Sequence, residues 1–244
     1  MGVMQEKTLT ALFLMVSFLG IQACGGEGGG TTPTSGTFEG TIAGTATTDT
    51  TGQTGYLSVV IPVAVAKSWP LSIMSSAYAS TGTVTGTLTI EGGSTIILTG
   101  TYDDSNGTLT LTGDGGYTFT GTADGSLISG SYDNTGTSFG GGFAGLKSAS
   151  QVFCGTFVHG SDDSSGLFNL VVTGETVSGV RINYSRKETY KTLSGTRTGD
   201  TIDVVVDDNG RRGTGTIVGD TVSGTFTNKQ GNLGTFTGSV SECQ

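Results

Sequence analysis

The chain has 244 residues, 44 of them glycine, with only 13% charged residues and a net charge of -9. That acidity disfavours nucleic acid and polyanionic surfaces as partners, because phosphate binding needs a Lys/Arg patch. Glycine-rich, charge-poor chains are often disordered, but here Val, Ile, Leu, Phe and Tyr recur at every second position in run after run, and an all-β fold is predicted.

Residues 1–23 read as a signal peptide: Lys7 precedes the apolar run LTALFLMVSFLGI over 9–21, which is short for a membrane span. The next residues, Ile21-Gln22-Ala23-Cys24, resemble the lipobox of bacterial lipoproteins. The resemblance covers only these first two dozen residues. It implies that Cys24 receives a diacylglycerol thioether, becomes the first residue of the mature chain and holds it on a membrane of the cell envelope. By analogy with lipoprotein sorting, the absence of Asp after Cys24 implies the outer membrane where a cell has one. Residues 24–35, rich in Gly and without an apolar side chain to pack, read as a flexible tether.

A first module spans 36–146, with strands predicted over 36–47, 55–65, 82–90, 94–102, 107–113, 116–123, 126–133 and 137–145. Between the second and third of these, 56–80 is the most apolar part of the mature chain. It is interrupted by Pro62 and Pro70 and holds the single Trp, Trp69, so an irregular excursion is predicted there. Trp69 is a candidate ligand-binding residue, or a plug for one end of the module.

The segment 146–151 breaks the pattern, and a second module follows over 153–243. Its strands are predicted over 153–159, 167–173, 176–184, 190–198, 201–207, 212–218, 221–228 and 233–240. One hairpin is written in both modules: GTADGSLISGSYDN (121–134) and GTIVGDTVSGTFTN (215–228) are identical at six positions and keep the apolar ones in phase. Connections of two to five residues allow antiparallel neighbours only, which makes each module a meander. Glycines that share a face with aromatic rings let a sheet curl, and closure removes two open edges. Two tandem up-and-down β-barrels are therefore expected, with one long curved sheet or a β-sandwich as the alternative.

Aligning 176–183 with 221–228 puts Arg181 where Phe226 stands, on the inner face, making it the second candidate ligand-binding residue. It would hold an anion or pair with a carboxylate such as Glu188. The apolar residues Val180, Ile182 and Tyr184 in the opposite phase favour a third reading, a register slip that turns Arg181 to solvent. Cys154 and Cys243 remain once Cys24 is committed to lipid, and export provides an oxidising compartment. Both point outward at one rim of a closed second barrel if the last strand reaches 243, so a disulfide is predicted.

No catalytic or metal constellation is found, and no cofactor is implied. The G-x-S-x-G match at 136–140 and the G-x-G-x-x-G match at 140–145 lack the helix each motif requires. The runs 103–107 and 207–210 are turn formers that do not complete an EF-hand loop. The expectation is a non-catalytic, membrane-anchored envelope lipoprotein acting as a binding or interaction module. The alternative is a structural or adhesive surface protein with filled barrels; an open cavity lined by Trp69 or Arg181 would distinguish the two.

Overall fold

The computed structural model of the protein describes residues 34–46, 51–63, 81–159, 165–184, 190–206, 211–227, 231 and 233–243. The segments read as a signal peptide and tether, apart from residues 34 and 35, lie outside them, as do Cys24 and the predicted excursion with Trp69. Among the described residues the first module has β1 (Gly36–Ala46), β2 (Gly52–Ile61), β3 (Thr81–Ile90), β4 (Thr95–Asp103), β5 (Thr108–Gly113), β6 (Tyr117–Asp124), β7 (Leu127–Asn134) and β8 (Phe139–Lys147). The second has β9 (Gln151–His159), β10 (Ser165–Thr173), β11 (Thr176–Asn183), β12 (Lys191–Thr198), β13 (Thr201–Val206), β14 (Arg211–Val218), β15 (Thr221–Thr227) and β16 (Leu233–Ser239).

Each set closes into an eight-stranded antiparallel barrel, β8 returning to β1 and β16 to β9. The expected barrels are therefore the observed architecture. Period-2 alternation explains why. In β6 the inward Tyr117, Phe119 and Ala123 are buried while Thr118, Thr120 and Thr122 face out. In β15 the inward Val222 is buried between exposed Thr221 and Ser223.

The duplicated hairpin occupies the sixth and seventh strands of both barrels, β6–β7 and β14–β15. In each copy two glycines pair across the strands, Gly121 with Gly130 and Gly215 with Gly224. A ring from the eighth strand fills the space they leave. A Cβ at Gly121 would stand 2.8 Å from Phe143 Cζ, and one at Gly224 would stand 2.5 Å from Phe236 Cζ. The turns use Gly125 (φ 56°) and Gly219 (φ 58°), a left-handed conformation that glycine adopts without a Cβ penalty.

The first barrel is filled. Phe38, Phe119, Phe143 and Tyr132 are buried in its interior with Leu57, Leu88, Leu98 and Leu111. At one end the Tyr132 hydroxyl donates to Gln53 Oε1 (3.1 Å) and Gln53 Nε2 donates to the Tyr117 hydroxyl (3.2 Å). Outside, threonines from four strands stand in register: Thr85, Thr99, Thr112 and Thr118 in one row, Thr83, Thr101, Thr110 and Thr120 in the next.

The two barrels stand side by side with corresponding ends aligned. At one end Thr173 Oγ1 donates to the Lys147 carbonyl (3.5 Å). At the other, Tyr190 covers Gly142, and Leu167 and Tyr184 cover Gly52. Between these ends Ala43 and Ala144 of the first barrel pack against Leu167, Val180 and Ile182 of the second. Asn169, fully buried, donates its side-chain amide to the Ile42 carbonyl. Residues 148–150 thus link two closed sheets that share an apolar seam.

Cys154 and Cys243 form the predicted disulfide, with Cα atoms 5.1 Å apart. The route to it differs from the expectation. β16 ends at Ser239, which pairs with Cys154, and a 3-10 turn at Ser241–Cys243 brings the second thiol back over β9. The bond is covered by Leu146, Val152 and Val171, at the seam between the barrels.

Candidate functional site: the mouth of the second barrel

The second barrel is filled by Phe153, Val172, Val177, Ile202 and Val222 at one end. Towards the other end, where β9 finishes and β10 starts, the filling is incomplete. A cavity of about 60 Å³ opens there, lined by Phe157, Phe168, Leu193, Val206, Phe226 and Phe236 and by the side chains of Arg181 and Arg211. Residues 160–164, 185–189, 207–210 and 228–230 connect strands at this end and lie outside the described residues.

The inner-face position of Arg181 follows from register. It pairs with Phe168 on β10 and with Lys191 on β12, and Phe168 pairs with Gly155 on β9, an inner-face position. The favoured reading of Arg181 as solvent-facing is therefore corrected: no slip occurs after Gly179, and the residue faces the interior. The opposite phase is apolar for another reason, since Val180 and Ile182 are the residues that meet the first barrel. Glu188, the carboxylate named as a partner, lies outside the described residues.

The guanidinium of Arg181 is held on two sides. Its carbon lies 5.5 Å from the centroid of the Phe157 ring, a cation–π contact, and Nη1 donates to Asn183 Oδ1 at 3.2 Å. Phe157 meets Phe226 edge-on at 5.8 Å, and His159 meets Phe226 at 4.6 Å. Arg211 enters from β14, paired with Val206, and sequence reasoning did not single it out. Its signal was available: Arg211 stands two positions before Gly213, in phase with Gly215 and Ile217 on the inner face. Its Nε is buried and has no hydrogen-bond partner among the described residues.

Two further cations lie at opposite ends of β12. Lys191 begins β12 in phase with the buried Leu193, at the mouth. Arg197 lies at the far end of that strand, where it donates to the Gly199 carbonyl (2.7 Å) and Gln151 Oε1 (3.0 Å).

The rejected motifs fall where their chemistry is absent. Residues 136–138 lie in the link from β7 to β8, strand to strand, and Phe139 to Gly145 lie inside β8. Asp103 Oδ1 accepts from the Ser105 amide (3.0 Å) and Asn106 Oδ1 from the Thr108 amide (2.8 Å), which makes 103–107 a pair of side-chain-stabilised turns.

A second concavity lies between the barrels. There Thr54 Oγ1 sits 2.8 Å from Glu91 Oε2 and 3.1 Å from the Glu242 carbonyl. Burial, and then the charge of Glu91, push the Glu242 carboxyl above its ordinary range. The same two causes raise the Tyr184 hydroxyl. Among the described residues no group of three or more His, Cys, Asp or Glu is arranged to hold a metal ion.

Comparison with known proteins adds no precedent for this site: no protein family, no curated protein and no solved structure matches the chain.

Proposed function

We propose that the protein is a non-catalytic envelope lipoprotein, tethered through Cys24, whose second barrel binds a small molecule at its mouth while the first barrel serves as a filled scaffold. The observation that carries this reading is the pair of arginines at an apolar cavity, in a chain whose other barrel is packed with rings. Position supports it as well. The described chain begins at Thr34, whose Oγ1 accepts from the Gly125 amide (3.2 Å). Thr34 is therefore at the end of the first barrel where β1 starts and β8 finishes, and the mouth of the second barrel is at the other end. A tether entering at Thr34 would join the molecule at the end opposite the mouth.

Gly213 provides the test. It lines the cavity, and a Cβ there would find its nearest neighbour, Phe226 Cβ, at 3.4 Å, an ordinary contact. In a fluorine-NMR fragment screen of the full chain, small apolar fragments should bind, and Gly213→Val, which fills the space without crowding the backbone, should abolish that binding while amide dispersion is retained. Fragments that bind both proteins equally, or neither, would remove the receptor reading. Tethering is checked separately: radiolabelled palmitate should enter the wild type and not Cys24→Ser.

A further inference from the structure

From the chemistry of the mouth we infer the ligand class: a small amphipathic monoanion, with a carboxylate head held by Arg181 and Arg211 and a short alkyl body in the cavity. The inference rests on the reading of the second barrel as a receptor and goes one step further, to what that receptor selects.

Three observations combine. Among the described residues the cavity lining carries two guanidiniums and no carboxylate, in a chain with only 11 Lys and Arg against 20 Asp and Glu. A cation placed at an apolar, poorly hydrated wall acts at lower effective dielectric than one on the surface, so its attraction for an anion is enhanced. Second, Arg181 is oriented before any ligand arrives, since Phe157 supports one face of its guanidinium and Asn183 takes one Nη1 hydrogen. A planar fork held in this way presents paired donors that match a carboxylate better than a point charge does. Third, the remaining lining is aromatic and aliphatic, Phe168, Phe226 and Phe236 with Leu193 and Val206, which can accept only an apolar body.

The volume limits the body. At about 60 Å³ the cavity is well below the roughly 150 Å³ that holds a benzene ring in an engineered apolar cavity. A body of a few carbons fits, and a long acyl chain does not. Affinity should then rise by roughly fourfold per methylene while the chain is entering the cavity, and stop rising once it is full. The connecting segments at this end carry Asp162, Asp163, Glu188, Asp207 and Asp208. A cationic amphiphile is therefore the competing ligand, and the experiment must include one.

The experiment is equilibrium dialysis of the full chain against radiolabelled hexanoate, hexanol and hexylammonium, together with acetate, butyrate and decanoate. Hexanoate is expected to bind at least tenfold more tightly than hexanol or hexylammonium, with affinity rising from acetate to butyrate and no further gain at hexanoate or decanoate. Arg181→Gln and Arg211→Gln should each weaken hexanoate about tenfold or more and leave hexanol unchanged, the loss expected for a hydrogen bond to a charged group. Arg181→Lys should restore part of it. Equal binding of hexanol and hexanoate, or preference for hexylammonium, would overturn the anion assignment and leave the receptor reading intact. Failure of all six probes while screened fragments still bind Gly213-dependently would overturn the ligand class alone. Failure of probes and fragments together would overturn both. Amide dispersion of each variant shows whether a loss reflects the site or the fold, and wild-type discrimination between hexanoate and hexanol decides the question with no variant at all.

Discussion

At the residue scale, what a side chain does here depends on which of three surfaces its strand position faces: interior, solvent or seam. Glu242 illustrates the third. It sits in the groove between the barrels opposite Glu91, with its carboxyl raised first by burial and then by that neighbour. The folded protein therefore holds this proton more tightly than the unfolded chain does. Stability should fall as pH rises from the ordinary glutamate value of 4.5 towards the raised one, and level off above it. Glu242→Gln removes the titration. The variant should match the wild type in urea denaturation at pH 3 and exceed it at pH 7, and equal midpoints at both pH values would contradict the assignment. Arg181 illustrates the cost of reading one residue through its neighbours. The apolar Val180 and Ile182 looked like an inner face, yet they are buried against another barrel.

At the element scale, the repeated hairpin shows how a glycine-rich strand can be well specified. Paired glycines at matching positions give the sheet room to curl, and one phenylalanine from the next strand fills the gap in each barrel. The strand that closes the second barrel is secured differently. The 3-10 turn after β16 places Cys243 over β9, and the bond to Cys154 spans 89 residues of chain. On the chain-entropy account a closed loop of that length stabilises by roughly 4 to 5 kcal/mol. Replacing both cysteines by alanine should lower the unfolding free energy by about that amount in urea titration. Non-reducing peptide mapping of the protein isolated without reductant should find Cys154 and Cys243 linked, and an alkylated, unlinked Cys154 would remove the basis for that expectation.

At the scale of the whole molecule, the two barrels are joined by more than the three residues between β8 and β9. Leu167, Val180 and Ile182 are each less than one-tenth exposed, and Asn169 spends its amide on the first barrel. A chain beginning at Ser150 retains all eight strands and the disulfide, so it should still give dispersed amide signals. It loses the cover over that outer face, however. Burial contributes roughly 1.5–3 kcal/mol per large apolar side chain, so the fragment should unfold at distinctly lower urea concentration than the intact chain or self-associate as concentration rises. A fragment as stable as the whole chain, and monomeric, would mean that the seam contributes nothing.

The sequence by itself determined that the chain is all-β, where its sixteen strands run, that they form two meanders, and which two cysteines pair. These properties follow from local physics: period-2 alternation, glycine at turns, short connections, and the presence of just two cysteines in the second module. Closure was inferred from curl-permitting glycines and is realised by β8–β1 and β16–β9 pairing. Only the tertiary structure decided that the outer face of β10 and β11 is a buried seam, that Arg181 consequently points inward, that Arg211 meets it at the same cavity, and that Glu242 faces Glu91 across the groove. Alternation shows that a strand has two faces, but what covers each depends on contacts between residues more than a hundred positions apart, such as Ile42 and Asn169, and no local pattern encodes those.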